Sequence, residues 1–105
     1  MIKMLQQQIR QDLKKIKEYF HYYEMIKRAV RNNTVIQMEQ LVQKYTQMIQ
    51  NAPKRLSDVF YGLYVGDNTQ KKLSQEWNVT EKYIQILNKR LIVWLEQAIT
   101  QEQKQ

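Results

Sequence analysis

The sequence predicts an all-α fold: a long N-terminal helical hairpin followed by a three-helix module. Three observations carry that prediction. Apolar residues recur at helical spacing along nearly all of the 105 residues. Glycine occurs twice and proline once, too few for a turn-rich barrel or sandwich. The breaks in the apolar pattern fall on asparagine, proline and glycine, residues that end or begin helices for steric reasons.

Residues 2 to about 31 read as one amphipathic helix. Its stripe is Ile2, Leu5, Ile9, Leu13, Ile16, Phe20, Tyr23, Ile26 and Val30, always three or four residues apart. Such a helix is roughly 45 Å long, longer than the remaining chain can cover. Part of the stripe is therefore expected to meet a second chain or another long helix. Asn32-Asn33-Thr34 breaks it, with asparagine suited to a left-handed helix end. Thr34 and Gln37 form a capping box for a second helix, about 35–50, striped by Val35, Met38, Leu41, Val42, Tyr45, Met48 and Ile49. So short a turn favours an antiparallel hairpin over residues 1–52.

Pro53 suits the first turn of a third helix, about 53–64, in which Leu56, Val59, Phe60 and Leu63 share a face. Gly66 is its natural stop. Thr69 caps a short helix, about 70–77. Asn78-Val79 is a tight turn, and Thr80 caps a final helix, about 81–98. Residues 53–99 thus form the second unit, and 100–105 a frayed polar tail.

Residues 70–89, QKKLSQEWNVTEKYIQILNK, fit a helix-turn-helix. Leu73 and Trp77 are the apolar pair of the first helix. Asn78 tolerates a positive φ at the turn, Val79 plugs the angle and Thr80 caps the second helix. Ile84 and Leu87 face inward, and Ser74 is small where the helices approach. A purely structural helical hairpin would satisfy part of this pattern too. Residues 69–93 carry five basic and two acidic residues. On the final helix Ile84, Leu87, Leu91 and Leu95 share one face, and Lys82, Gln85, Ile86 and Lys89 lie opposite. In this motif the outer face enters the major groove. Thr80, Glu81, Lys82 and Gln85 are thus the candidates for bases or flanking phosphates, Gln85 toward adenine and Glu81 toward a cytosine amine. Lys71, Lys72, Lys89 and Arg90 are the candidates for phosphates.

The stretch VFYGLYVGDNTQKKLSQEWNVTEKYIQILNKRLIVWL resembles the fourth region of bacterial sigma factors. Its YGLYVGDNT portion is similar to the joint of that module, a leucine-arginine-tyrosine group followed by a short loop and a threonine. The arginine-bearing joint is replaced here by Phe60-Tyr61-Gly62-Leu63-Tyr64. With its tyrosine-bearing helix (Tyr19, Tyr22, Tyr23), the whole chain resembles small phage transcription regulators of the RinA and ArpU type. That resemblance implies activation of late phage genes from a promoter-proximal site.

Lysine and arginine number 17 against 10 acidic residues, a formal charge of +7. Such a balance favours an acidic partner such as nucleic acid. Most of the surplus lies in residues 1–31, with eight basic and three acidic residues. Either that helix lies along the DNA backbone or its charge serves another acidic partner. Cysteine is absent and His21 is the single histidine, so no thiolate zinc site, cysteine nucleophile or histidine-rich metal site is available. Asp12, Glu18, Glu24 and Glu39 are too dispersed for a carboxylate pair. No phosphate-cradling glycine loop occurs. We therefore expect no enzyme, no metal and no cofactor. His21 reads as a partly exposed interface residue, and the neighbouring aromatics as a packing stripe. No membrane span or secretory leader is evident, so a cytoplasmic location is expected.

Leu91-Ile92-Val93-Trp94-Leu95 is apolar around most of a helix, so Ile92 or Val93 needs a cover: the first helix, a second subunit or RNA polymerase. A homodimer through Ile9, Leu13, Ile16, Phe20 and Tyr23, or through Ile92 and Val93, would place two reading helices on a two-fold site. The expected function is a DNA-binding transcriptional regulator acting on double-stranded DNA near a promoter. The competitors are a helical adaptor for RNA polymerase or another protein, and a small terminase-like DNA-recognition subunit.

Overall fold

A computed structural model describes residues 2–29 and 31–103. Among these residues it contains α-helices and no strand: α1 (Ile2–His21), α2 (Tyr23–Arg28), α3 (Asn33–Ile49), α4 (Lys54–Phe60), α5 (Gln70–Trp77) and α6 (Glu81–Gln103). A π-helical segment, Tyr61–Val65, follows α4 directly.

The expected first helix is two. Tyr22, at φ −102° and ψ 22°, separates α1 from α2. The hydrogen-bond ladder nearly spans the break, because Tyr22 N donates to Glu18 O and Ile26 N to Tyr22 O. It is a kink rather than a terminus, with neither proline nor glycine beside it. It coincides with the point where His21 Nδ1 turns aside to Asp67 Oδ2, at 2.5 Å. Val30, the last residue of the predicted stripe, lies outside the described residues.

The second helix starts two residues early. Asn32 is its cap: its side chain accepts from Val35 N at 3.0 Å, and its backbone is extended (φ −135°) rather than left-handed. The cap is thus Asn32 acting on Val35 N, two residues before the expected Thr34–Gln37 box. At the other end of the chain α6 runs through Gln103, so residues 100–103 are helical rather than frayed. Ile99 is buried and continues the stripe of Leu91 and Leu95, and Thr100 Oγ1 donates to Glu96 O.

One core cluster joins the elements. It takes Ile9, Leu13 and Ile16 from α1, Tyr45, Met48 and Ile49 from α3, and Leu56, Val59 and Phe60 from α4. Leu63, Leu73 and six residues of α6 complete it. This changes the expected dimer surfaces. Ile9, Leu13, Ile16 and Ile92 are at most 1% exposed, so the chain's own packing consumes them and they are unavailable to a second copy. Val93 is 41% and Tyr23 40% exposed, while Phe20 is half-buried. Cover runs out along α2, which has no buried residue.

Inside the core, Tyr45 donates to Asp12 Oδ2 at 2.7 Å, and Gln8 Nε2 to Asp12 Oδ1 at 2.9 Å. Both oxygens of a buried carboxylate are thereby satisfied, as burial requires. Desolvation, reinforced by the bond to Asp12, holds the Tyr45 phenol far above its ordinary range.

Two glycines permit the close contacts of the π-helical segment. A Cβ on Gly62 would lie 2.7 Å from Leu73 Cδ1, so its absence lets this segment close on α5. A Cβ on Gly66 would meet Gly62 O at 3.0 Å and Tyr61 O at 3.1 Å. Gly66 ends the segment through this close approach and not through a left-handed turn, since its φ is −78°. The left-handed residue is Asp67, at φ 55°. Widening the last turn frees carbonyls that need donors. Gly66 N takes Tyr61 O, Asn68 takes Gly62 O, and Lys17 Nζ takes Leu63 O at 2.8 Å.

Candidate nucleic-acid interface

The local construction of α5, the turn and α6 follows from a few side chains. Thr69 Oγ1 accepts from Lys72 N at 3.0 Å and starts α5. Leu73 and Ser74 are its buried residues. Ser74 Oγ donates to Lys71 O at 2.6 Å, which satisfies a hydroxyl placed where the helices approach. Asn78 adopts φ 56°, ψ 46°, and Val79 N then donates to Ser74 O at 2.9 Å. This is the left-handed cap that closes a helix sharply. Val79 packs against the core, and Thr80 Oγ1 accepts from Tyr83 N at 3.1 Å to start α6. Ile84, Leu87 and Leu91 anchor the inner face of α6. Trp77 is half-buried, with the Arg55 guanidinium 4.4 Å from its ring centroid.

All eight candidate residues lie on the surface: Lys71, Lys72, Thr80, Glu81, Lys82, Gln85, Lys89 and Arg90 are exposed. They do not form one line. Lys82 and Lys89 share the outer face of α6 with Ile86 and Val93, and Gln85 sits on its flank. Arg90, about 100° round the helix from Lys89, belongs to the side of Tyr83. Lys71 and Lys72 leave α5 on opposite sides of its exposed face. Among the described residues no acidic group pairs with any of these five cations. Thr80 already accepts the Tyr83 amide, so toward a ligand it offers its O–H.

Three exposed apolar side chains join this surface: Tyr83 (36%), Ile86 (39%) and Val93 (41%). The helical pattern points Ile86 outward. It leaves Ile92 and Val93 undecided, and folding resolves them by burying Ile92 in the core and leaving Val93 outside.

Behind the surface is a set of contacts that no local pattern announces. Lys17 Nζ lies 3.2 Å from Asp67 Oδ1 and donates to Leu63 O and to Asn68 O. The Tyr64 hydroxyl donates to Asn88 Oδ1 at 2.5 Å and ties the π-helical segment to α6. Its burial raises the phenol's pKa. The bond to His21 chiefly lowers the Asp67 pKa, against a smaller desolvation effect, and Lys17 adds to the lowering. The result fixes the entry into α5 relative to α1 and α6.

Among the described residues, no group of three histidine, aspartate or glutamate side chains could hold a metal, and no helix is long and apolar enough to cross a membrane. Comparison of the chain with protein-family models, with curated proteins and with solved structures finds no match.

Proposed function

We propose that this chain is a sequence-specific double-stranded DNA-binding transcriptional regulator that acts near a promoter, in a phage or mobile-element setting. The observation that carries the reading is the α5–turn–α6 pair. A left-handed asparagine sets its angle, apolar residues anchor its inner face, and exposed cations with no acidic partner among the described residues occupy its outer side.

In this reading the pair is a sigma-like helix-turn-helix. The N-terminal half of α6 enters the major groove and α5 crosses the backbone. Gln85 makes a bidentate pair with adenine and Glu81 accepts from a cytosine amine. Ile86 meets a thymine methyl, an apolar contact that suits a solvent-facing isoleucine between two lysines. Lys71, Lys72, Lys89 and Arg90 hold phosphates, and Thr80 and Lys82 serve bases or the flanking backbone. A two-fold arrangement of reading helices would use the apolar residues left outside the core, Tyr23 and Val93, with Phe20 beside them.

The second reading is a helical adaptor for RNA polymerase or another protein. Tyr83, Ile86 and Val93 favour it, because exposed apolar residues among charges also suit a protein partner. Selection of bound sites from random duplex DNA, followed by mobility shifts, separates the two. A recovered motif, with Gln85→Ala relaxing preference at one base pair, supports the regulator. Recovery of no motif and no salt-dependent shift favours the adaptor.

A further inference from the structure

Most of the positive charge surplus lies on the N-terminal helices rather than on α5 and α6. The packing of α1 shows where part of it points. Asp12 marks one flank of the buried face, since it is bonded to Tyr45 of α3. Lys17 marks the opposite flank, bound to Leu63 O, Asn68 O and Asp67. Arg10 and Lys14 stand seven and three residues before Lys17 and leave α1 on that second flank. Both are exposed, and neither has an ion-pair partner among the described residues.

This flank borders the elements of the candidate interface on two sides. Toward α6, Tyr64 is bonded to Asn88, which precedes Lys89 and sits one helical turn after Gln85. The ionisation of Tyr64, raised by burial, is drawn down by the bond to Asn88 and by the charge of Arg10, which places Arg10 within electrostatic reach of that contact. Toward α5, Lys17 lines a shallow groove with Tyr64, Asn68, Thr69 and Gln70, immediately before Lys71 and Lys72. The acid of this border, Asp67, is already matched by Lys17 and His21. Glu18, which follows Lys17 in α1, and Glu81, at the start of α6, are exposed carboxylates.

We infer that the flank of α1 bearing Arg10 and Lys14 is a second contact surface for the phosphate backbone of duplex DNA, continuous with the outer side of α5 and α6. The inference rests on the DNA-binding reading above. A regularly charged, extended polyanion is the partner that engages separated cations on three helices at once. Lys17 is not itself a phosphate ligand. Its ammonium is occupied, and it positions the flank against the entry to α5.

The test is the salt dependence of affinity for a mixed-sequence duplex about three helical turns long. Each phosphate contact contributes about 0.9 to the slope of log K against log salt. The Arg10→Ala/Lys14→Ala protein should therefore show a slope smaller by about 1.8. That is about twelve-fold less loss of affinity between 50 and 200 mM salt. Lys15→Ala, an exposed cation on another face of α1, should leave the slope unchanged. All three positions are solvent-facing, and an unaltered urea midpoint verifies the fold. An unchanged slope in the double variant, with weakened binding in Lys89→Ala, overturns the α1 surface and leaves the DNA-binding reading standing. An equal effect from Lys15→Ala overturns it too, because the charge then acts without a defined surface. Absence of duplex binding by the unaltered protein overturns both.

Discussion

Lys17 and Asp67, distant in sequence, meet at 3.2 Å where α1 crosses the entry to α5. The same ammonium donates to Leu63 O at 2.8 Å and to Asn68 O at 2.9 Å. Lys17 thus acts as a cap supplied from another helix: it satisfies a carbonyl that the widened π-helical turn leaves open. Lys17→Met retains most of the stem and removes these contacts. The expected loss is about 1–2 kcal/mol, the range for hydrogen bonds to a charged donor after allowance for partial exposure. It would be read as a lower urea midpoint with faster amide exchange at residues 69–72. An unchanged midpoint would show that solvent replaces the cap without cost.

Asp67 gives the fold a pH dependence of definite sign. His21 first, then Lys17, lower its folded pKa below the unfolded value of about 3.9. A depressed carboxylate contributes stability that is fully present above the unfolded pKa and is lost as pH falls through the folded one. Asp67→Asn should therefore be less stable than the parent at pH 6. The two stability curves should converge as the pH falls below about 4. Urea titrations across pH 2–6 check this. A gap that stays constant down to pH 2 would mean that the ionised carboxylate is not the source.

The contrast between the two ends of the molecule shows what could be read in advance. Turn chemistry is local: Thr69, Asn78, Val79 and Thr80 announce α5, its bounds and the start of α6 within a dozen residues, and the structure has these features. The solvent-facing side of the first half of α6 is equally legible, because helical periodicity sets it, whereas only the folded core distinguishes Ile92 from Val93. The kink at Tyr22 is not, since no helix-breaking residue marks it and it coincides with a contact to Asp67 far along the chain. Gly62 and Gly66 reveal only that space is needed there. Which carbonyl or side chain needs it depends on tertiary packing. The apolar stripe of α1 is legible too, and of the two covers its length calls for, a second chain or another long helix, it is the helix that meets residues 9–16. α6 extends to Gln103, and the core it shares with α1 takes up Ile9, Leu13 and Ile16.

Gly62 and Leu73 should be energetically coupled. Gly62→Ala drives a methyl to within 2.7 Å of Leu73 Cδ1 inside the core, and overpacking of that kind costs about 1–3 kcal/mol. In the Leu73→Ala background the obstructing atoms are gone, so the alanine at position 62 should be tolerated. A double-mutant cycle measured by thermal or urea unfolding should give a coupling of at least about 0.5 kcal/mol. Additive effects would contradict close packing of the π-helical segment on α5.

Asn78 carries the left-handed backbone on which the angle between α5 and α6 depends. Asn78→Gly should be close to neutral, since glycine adopts this conformation freely. Asn78→Ala should cost about 1–2 kcal/mol from the steric penalty of the left-handed region. The order of urea midpoints, glycine near the parent and alanine well below it, checks the turn. Equal midpoints for the two variants would argue against a left-handed residue at this position.

The affinity of the protein for duplex DNA as a function of salt decides whether α5 and α6 form a DNA-binding surface. Fluorescence anisotropy with the parent and with a Lys71→Ala/Lys89→Ala/Arg90→Ala variant is sufficient. Binding should weaken steeply with salt, and the slope should be smaller by about 2.7 in the variant, one phosphate contact for each cation removed. Parent and variant with the same affinity and slope, or a parent that does not bind duplex DNA at low salt, would contradict it.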